Sequence, residues 1–236
     1  MQIVYELLLR VVILKNLNKD HFHKRYLNFD FVARLLDLFR SPDPRERDYL
    51  KTVVHRIYGK FMPLRLPIRM TLIRELVSEG LKSSEGVVKS DRQFGLAEYL
   101  EILLPIVDGF NSPLRVDHRQ IFTECLLPLH RSSSLSFFRQ QLVKTISKFI
   151  LKEQSLAEDA ILTCVKYWPL IDPHKEVSSL NEIESILNLL RSIEPLIPCR
   201  YYLVKRLALS CSSLHFGVAE RAILLLHNPV LICLVR

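Results

Sequence analysis

Thr52, His55, Arg56 and Tyr58 fall within one helix-patterned stretch, and the chemistry open to that set is recognition of negative charge. A guanidinium, an imidazole and two hydroxyls can give charge-assisted hydrogen bonds to a carboxylate or phosphate. Arg65 and Arg69 follow one turn apart on the next helix, so they share a side. Further on stand Glu101 with Ile102 and Ile106, then Arg115 and His118. Where helix pairs stack in an array, equivalent faces line one concave groove. The eleven residues could therefore make a pocket with apolar walls and a basic rim. The plainer alternative has Ile102 and Ile106 as ordinary core and the arginines as a solvated face, and spacing alone favours it.

Bond-making chemistry finds less support. The chain has no glycine-rich phosphate loop, no His-Glu-x-x-His and no Gly-x-Ser-x-Gly elbow. His21 and His23 are two apart, off any common helix face, and read as surface or cap residues. The carboxylate pairs Glu98/Glu101 and Glu182/Glu184 read as helix surface. Five cysteines, Cys125, Cys164, Cys199, Cys211 and Cys233, form no Cys-x-x-Cys pair and no zinc spacing with histidine. They read as reduced core thiols of a cytoplasmic or nuclear protein. No catalysis, cofactor or metal is expected.

The formal net charge of +8 is unevenly placed. Between Arg45 and Glu75 eight basic residues stand against three acidic ones, which favours a negatively charged partner. Tyr58 and Phe61 interleave with these cations, so RNA is one such partner. The positive charge stops after that segment, however, whereas a nucleic-acid solenoid carries its basic stripe along the array. A protein partner is the better expectation.

The elements that must position these residues are helices. Apolar residues recur with helical period throughout, and only six glycines punctuate 236 residues. Helices are expected near Gln2–Leu14, with Val4, Leu7, Leu8 and Val11 inward, and near Phe29–Phe39. Asp43-Pro44 then opens the clearest helix, with Glu46 closing a capping box. Its stripe is Leu50, Val53, Val54, Ile57 and Phe61. Further helices are expected near Leu64–Leu81, Gly95–Phe110, Val116–Leu129, Ser136–Leu151, Ser155–Tyr167, His174–Arg191, Glu194–Ser210 and Leu214–Leu226. Residues 82–92 are polar and read as a mobile loop. The opening segment lacks a basic region and cleavage site, so it is not a signal peptide. The longest uncharged run, Ala222–Val235, is too short to span a membrane. Helix pairs recurring every 35 to 45 residues or so fit HEAT or armadillo units. The fold expected from these elements is all-α, one domain over 1–236 built as a bundle or a solenoid, and period cannot separate HEAT from armadillo repeats.

Several runs carry a family resemblance. Ser41 to Phe61 (SPDPRERDYLKTVVHRIYGKF) resembles the B-prime family of protein phosphatase 2A regulatory subunits, as do Leu96 to Ile102 (LAEYLEI), Leu126 to His130 (LLPLH), Lys166 to Pro169 (KYWP) and Val218 to Ala222 (VAERA). The resemblance implies a HEAT-repeat, non-catalytic subunit that docks on the phosphatase scaffold and catalytic subunits. It further implies a concave pocket for Leu-x-x-Ile-x-Glu peptides of substrate proteins, tighter when the peptide is phosphorylated. Thr52, His55, Arg56, Tyr58, Arg65, Arg69, Glu101, Ile102, Ile106 and His118 match that pocket's residue types, and Arg115 stands where the family has lysine. The family's repeats extend further at both ends, so this chain is expected to lack terminal repeats and expose apolar faces at Gln2–Leu14 and Ala222–Val235. The remaining alternative is a stand-alone adaptor for phosphoproteins or RNA.

Overall fold

The structure, a computed structural model, describes residues 2–15, 22, 25–82 and 94–235. Among them are twelve α-helices and no strand. They are α1 (Gln2–Ile13), α2 (Phe29–Asp37), α3 (Pro44–Lys60), α4 (Arg65–Lys82), α5 (Leu96–Asp108), α6 (Val116–Gln120), α7 (Leu135–Lys152), α8 (Leu156–Lys166), α9 (Pro173–Leu187), α10 (Arg200–Cys211), α11 (Phe216–Leu226) and α12 (Pro229–Val235). The expected loop at 82–92 lies, beyond Lys82, outside the described residues, as do His21 and His23.

The chain packs as two compact units. The first is Met1–Asp108 with Ser132–Leu142, the second Gly109–Arg131 with Val143–Arg236. In the first, α1 lies on α3, α3 on α5, and α2 on α4. In the second, α8 lies on α10 and α9 on α11. These helices pack on the next but one as well as on their neighbours, as helices of stacked repeats do.

The helix that bears most of the candidate residues forms for reasons visible in its sequence. The Asp43 carboxylate accepts from the Arg45 amide at 2.9 Å, and Pro44 occupies the first turn without a donor to orphan. Leu50, Val53, Val54 and Ile57 are fully buried and Phe61 nearly so, each contributing about 1.5–3 kcal/mol. Glu46 does not close the expected capping box. Its carboxylate takes the Tyr5 phenol, and the Asp43 amide donates instead to Ser41 Oγ at 3.3 Å. Burial first, then the Glu46 bond and charge, pushes the Tyr5 phenol up to about 12.

Other expectations need correction. In α1, Val4 and Leu7 are exposed, while Tyr5 and Val12 are the buried contacts. That helix is apolar on nearly every side, so periodicity could not choose its face. The stretch 116–129 is not one α-helix. After α6 it widens to a π-turn at Ile121–Leu126, burying Ile121, Phe122, Cys125 and Leu126, and tightens to 3₁₀ at Leu127–Arg131 around the donorless Pro128. Pro198 likewise separates a 3₁₀ turn, Glu194–Leu196, from α10. Asn228 accepts from the Val230 amide at 3.0 Å, starting α12 as a separate helix.

No single helix among the described residues is long and apolar enough to cross a membrane; α11 and α12 would suffice only together, and a 76° bend breaks them.

Candidate functional site

Nine of the eleven candidate residues sit in the first unit, on three helices. Helix α3 carries Thr52, His55, Arg56 and Tyr58, α4 carries Arg65 and Arg69, and α5 carries Glu101, Ile102 and Ile106. Because α3 commits Leu50, Val53, Val54 and Ile57 inward, its period leaves His55 and Arg56 exposed and Thr52 and Tyr58 half-buried. His55 and Arg56 line a hollow of about 300 Å³ with Gly59, Lys60 and the α1 residues Val12 and Ile13. Lys60 holds one wall by donating to the α1 carbonyl of Val12 (2.7 Å) and to the Leu14 carbonyl just beyond it (2.5 Å).

Four of the eight cations between Arg45 and Glu75 pair with carboxylates. Arg47 bonds Glu98 at 2.7 Å, and Lys51 bonds Glu101 at 2.7 Å and Asp48 at 2.8 Å. Arg65 turns back on its own neighbour: Nε donates to the Tyr58 carbonyl at 3.0 Å, and the guanidinium lies 5.5 Å from the Tyr58 ring centroid. Arg45 pairs with Asp43 and Arg74 with Glu75. Arg56 and Arg69 have no hydrogen bond or ion pair among the described residues. They are the cations left for an incoming anion.

Glu101 is held rather than open. Lys51 reaches one carboxylate oxygen and Gln141 the other, at 3.1 Å. Burial by itself would raise the Glu101 pKa. The bonds from Lys51 and Gln141 outweigh it and keep the carboxyl below its ordinary 4.5. For Lys51, burial pulls down and the bonds to Asp48 and Glu101 prevail, holding it above 10.5. Thr52 Oγ1 donates to the Asp48 carbonyl at 3.1 Å. Ile102 and Ile106 are 1% and 6% exposed, part of the inner face of α5.

Arg115 and His118 belong to the second unit. Arg115 forms an exposed ion pair with Asp117 at 3.2 Å. The His118 ring stacks flat on Phe110, centroids 3.6 Å apart.

Sequence reasoning missed Lys51 and Gln141 as the partners of Glu101, and Phe110 as the bed of His118. Lys51 had a signal, since it lies on the same basic helix. Gln141 had none, being 40 residues from Glu101. Glu98 and Glu182 were expected on helix surfaces. Glu98 instead pairs with Arg47, and Glu182 is buried against His130.

All 236 residues match the family described as "Protein phosphatase 2A regulatory B subunit (B56 family)". The chain is 41% identical over its whole length to the B-prime delta isoform of the 55 kDa regulatory subunit of serine/threonine protein phosphatase 2A from Arabidopsis thaliana, covering 48% of that protein. It is 42% identical over 97% of its length to the 59 kDa B-prime eta isoform of the same plant, covering 43% of it. With the delta isoform of the 56 kDa regulatory subunit from Homo sapiens it shares 40% identity over its whole length and 38% of that protein's. It thus spans less than half the length of these relatives. The match runs from the first residue to the last and includes α3, α4 and α5, and on that basis the chain belongs to the B56 family of protein phosphatase 2A regulatory subunits.

Proposed function

We propose that the chain acts in the cytoplasm or nucleus as a non-catalytic regulatory subunit of protein phosphatase 2A. It docks on the scaffold and catalytic subunits and recruits substrates by their Leu-x-x-Ile-x-Glu segments. The observation that carries the recruitment step is the pair of uncommitted guanidiniums, Arg56 and Arg69, in a segment whose other cations are satisfied internally. An anion meeting Arg56 or Arg69 displaces no ion pair among the described residues, so the charge-assisted bond counts toward affinity.

In this reading the peptide glutamate, or a phosphate beside it, meets Arg56 and Arg69. The Tyr58 face and the His55 ring meet an aliphatic side chain, over the buried floor to which Ile102 and Ile106 belong. Arg65 stiffens Tyr58, and Lys51 and Gln141 stiffen Glu101. Each aliphatic side chain buried gains about 1.5–3 kcal/mol, and each charge-assisted bond about the same. Ordering a disordered peptide cancels much of this, leaving roughly micromolar affinity, about −8 kcal/mol. For Arg115 and His118 the family resemblance alone supports a role.

The test is fluorescence anisotropy of a labelled Leu-x-x-Ile-x-Glu peptide, with and without a phosphoserine, against the chain and its H55A/R56E variant. Micromolar binding, tighter with phosphoserine and lost in an equally helical variant, is expected. No binding by the folded parent ends the recruitment reading. Retention of RNA with a steep salt slope would replace it with the nucleic-acid one.

A further inference from the structure

In the second unit, three side chains of metal-ligating type meet inside the protein. They come from three separate segments: His130 from the 3₁₀ turn Leu127–Arg131, Cys164 from α8, and Glu182 from α9. All three are buried, and their ligand atoms lie within 4.8 Å of one another. His130 Nε2 is 2.7 Å from Glu182 Oε1 and 4.0 Å from Cys164 Sγ. His130 Nδ1 is 2.9 Å from the Leu127 carbonyl. A carbonyl can only accept, so Nδ1 is the protonated nitrogen, and Nε2 is the nitrogen aimed at the thiol and carboxylate. That is the orientation metal-binding histidines take, with the far nitrogen fixed by a backbone or carboxylate acceptor.

We propose that His130, Cys164 and Glu182 form an internal binding site for a thiophilic divalent cation of the zinc class. Sulfur, nitrogen and oxygen donors together suit zinc, which takes all three with bonds of about 2.0–2.3 Å. Tetrahedral bonds of that length put nitrogen and oxygen ligands about 3.3 Å apart and nitrogen and sulfur about 3.6 Å apart. One observed spacing is shorter than this and the other longer, so a small swing of the Glu182 carboxylate and a small approach of Cys164 complete the triangle.

The charge also balances. Without metal, the short contact holds one proton between Nε2 and the Glu182 carboxylate, and with a thiol beside it the three groups sum to zero charge whichever partner holds that proton. A divalent ion displaces this shared proton and the thiol proton to solvent, leaving a neutral imidazole, a carboxylate and a thiolate around two positive charges. Both states are neutral in sum, as a buried site requires. The cysteine pattern concealed the cluster because its members lie 34 and 52 residues from His130 and only the helix stacking unites them.

The test is anaerobic titration of the reduced, metal-stripped full chain with Co²⁺. Expected is one near-ultraviolet sulfur-to-cobalt band that saturates at one equivalent, disappears on adding Zn²⁺, and is absent from C164V and H130Q. The variant C233S, lacking an exposed thiol, keeps it. X-ray absorption of the zinc-loaded parent, expected to give one sulfur among nitrogen and oxygen neighbours, decides the matter without any variant. No band in the parent, a band surviving C164V, a band lost in C233S, or a zinc shell with no sulfur or several would each overturn the site.

Discussion

In the proposed recruitment, Arg56 and Arg69 matter because none of the described residues competes for them. Replacing either with alanine removes a charge-assisted bond of about 1.5–3 kcal/mol, so peptide affinity should fall about tenfold or more. Both lie away from the buried face of their helices, so unfolding should shift by only about 0.5 kcal/mol. Anisotropy and thermal melts on the same samples separate the two effects. Glu101 should behave in the opposite way. Its carboxyl is held below 4.5, so its stabilisation is present above that pH and is lost as pH falls through the lowered value. The E101Q variant should melt below the parent at neutral pH, and the gap should close under acid. Both partners are about a third exposed, so the gap should stay under about 1 kcal/mol. Residue type, helical spacing and the family resemblance together made Arg56 and Arg69 candidates. That their neighbours were already satisfied was invisible, because Glu98 and Glu101 reach α3 from about 50 residues away.

The position of α5 depends on what precedes it. Gly95 has φ of +91°, and a Cβ there would come within 2.7 Å of the Phe39 carbonyl oxygen. An alanine therefore meets both a left-handed backbone and a collision with main chain. G95A should cost about 1–3 kcal/mol or more, read as a lower denaturant midpoint. The same junction is tied by Tyr99, whose hydroxyl donates to the buried Leu36 carbonyl at 2.9 Å. Y99F should cost about 0.5–1.5 kcal/mol by leaving that carbonyl short of a donor. Legibility at this scale followed local chemistry. Helix α3 could be read from Asp43-Pro44 and a clean apolar stripe. The inward face of α1 could not, because the contacts that choose it, Tyr5 with Glu46 and the Tyr49 ring, are tertiary. The π-turn at Ile121–Leu126 was hidden for a similar reason: it exists to bury four side chains in a row whose spacing also suits an α-helix.

For the molecule as a whole, composition and period were enough to give an all-α chain, and the family resemblance made it a repeat protein; the structure bears out the first and the family match the second. They could not divide the chain into its two units, because the division runs through α7, where helical period is the same on either side. The net charge of +8 favours acidic and phosphorylated ligands, and peptide binding should weaken as salt screens it. Exposed apolar side chains stand on α1 (Ile3, Val4, Leu7) and on α11 and α12 (Ile223, Leu224, Ile232). The central claim is that the chain directs a phosphatase to a motif. The direct measurement is dephosphorylation of one phosphopeptide, with an intact or a scrambled Leu-x-x-Ile-x-Glu segment, by the scaffold–catalytic pair with and without this chain. The account predicts that the chain lowers KM for the intact motif only, and that H55A/R56E abolishes the gain. Equal rates on both peptides, or no effect of the chain on either, would contradict it.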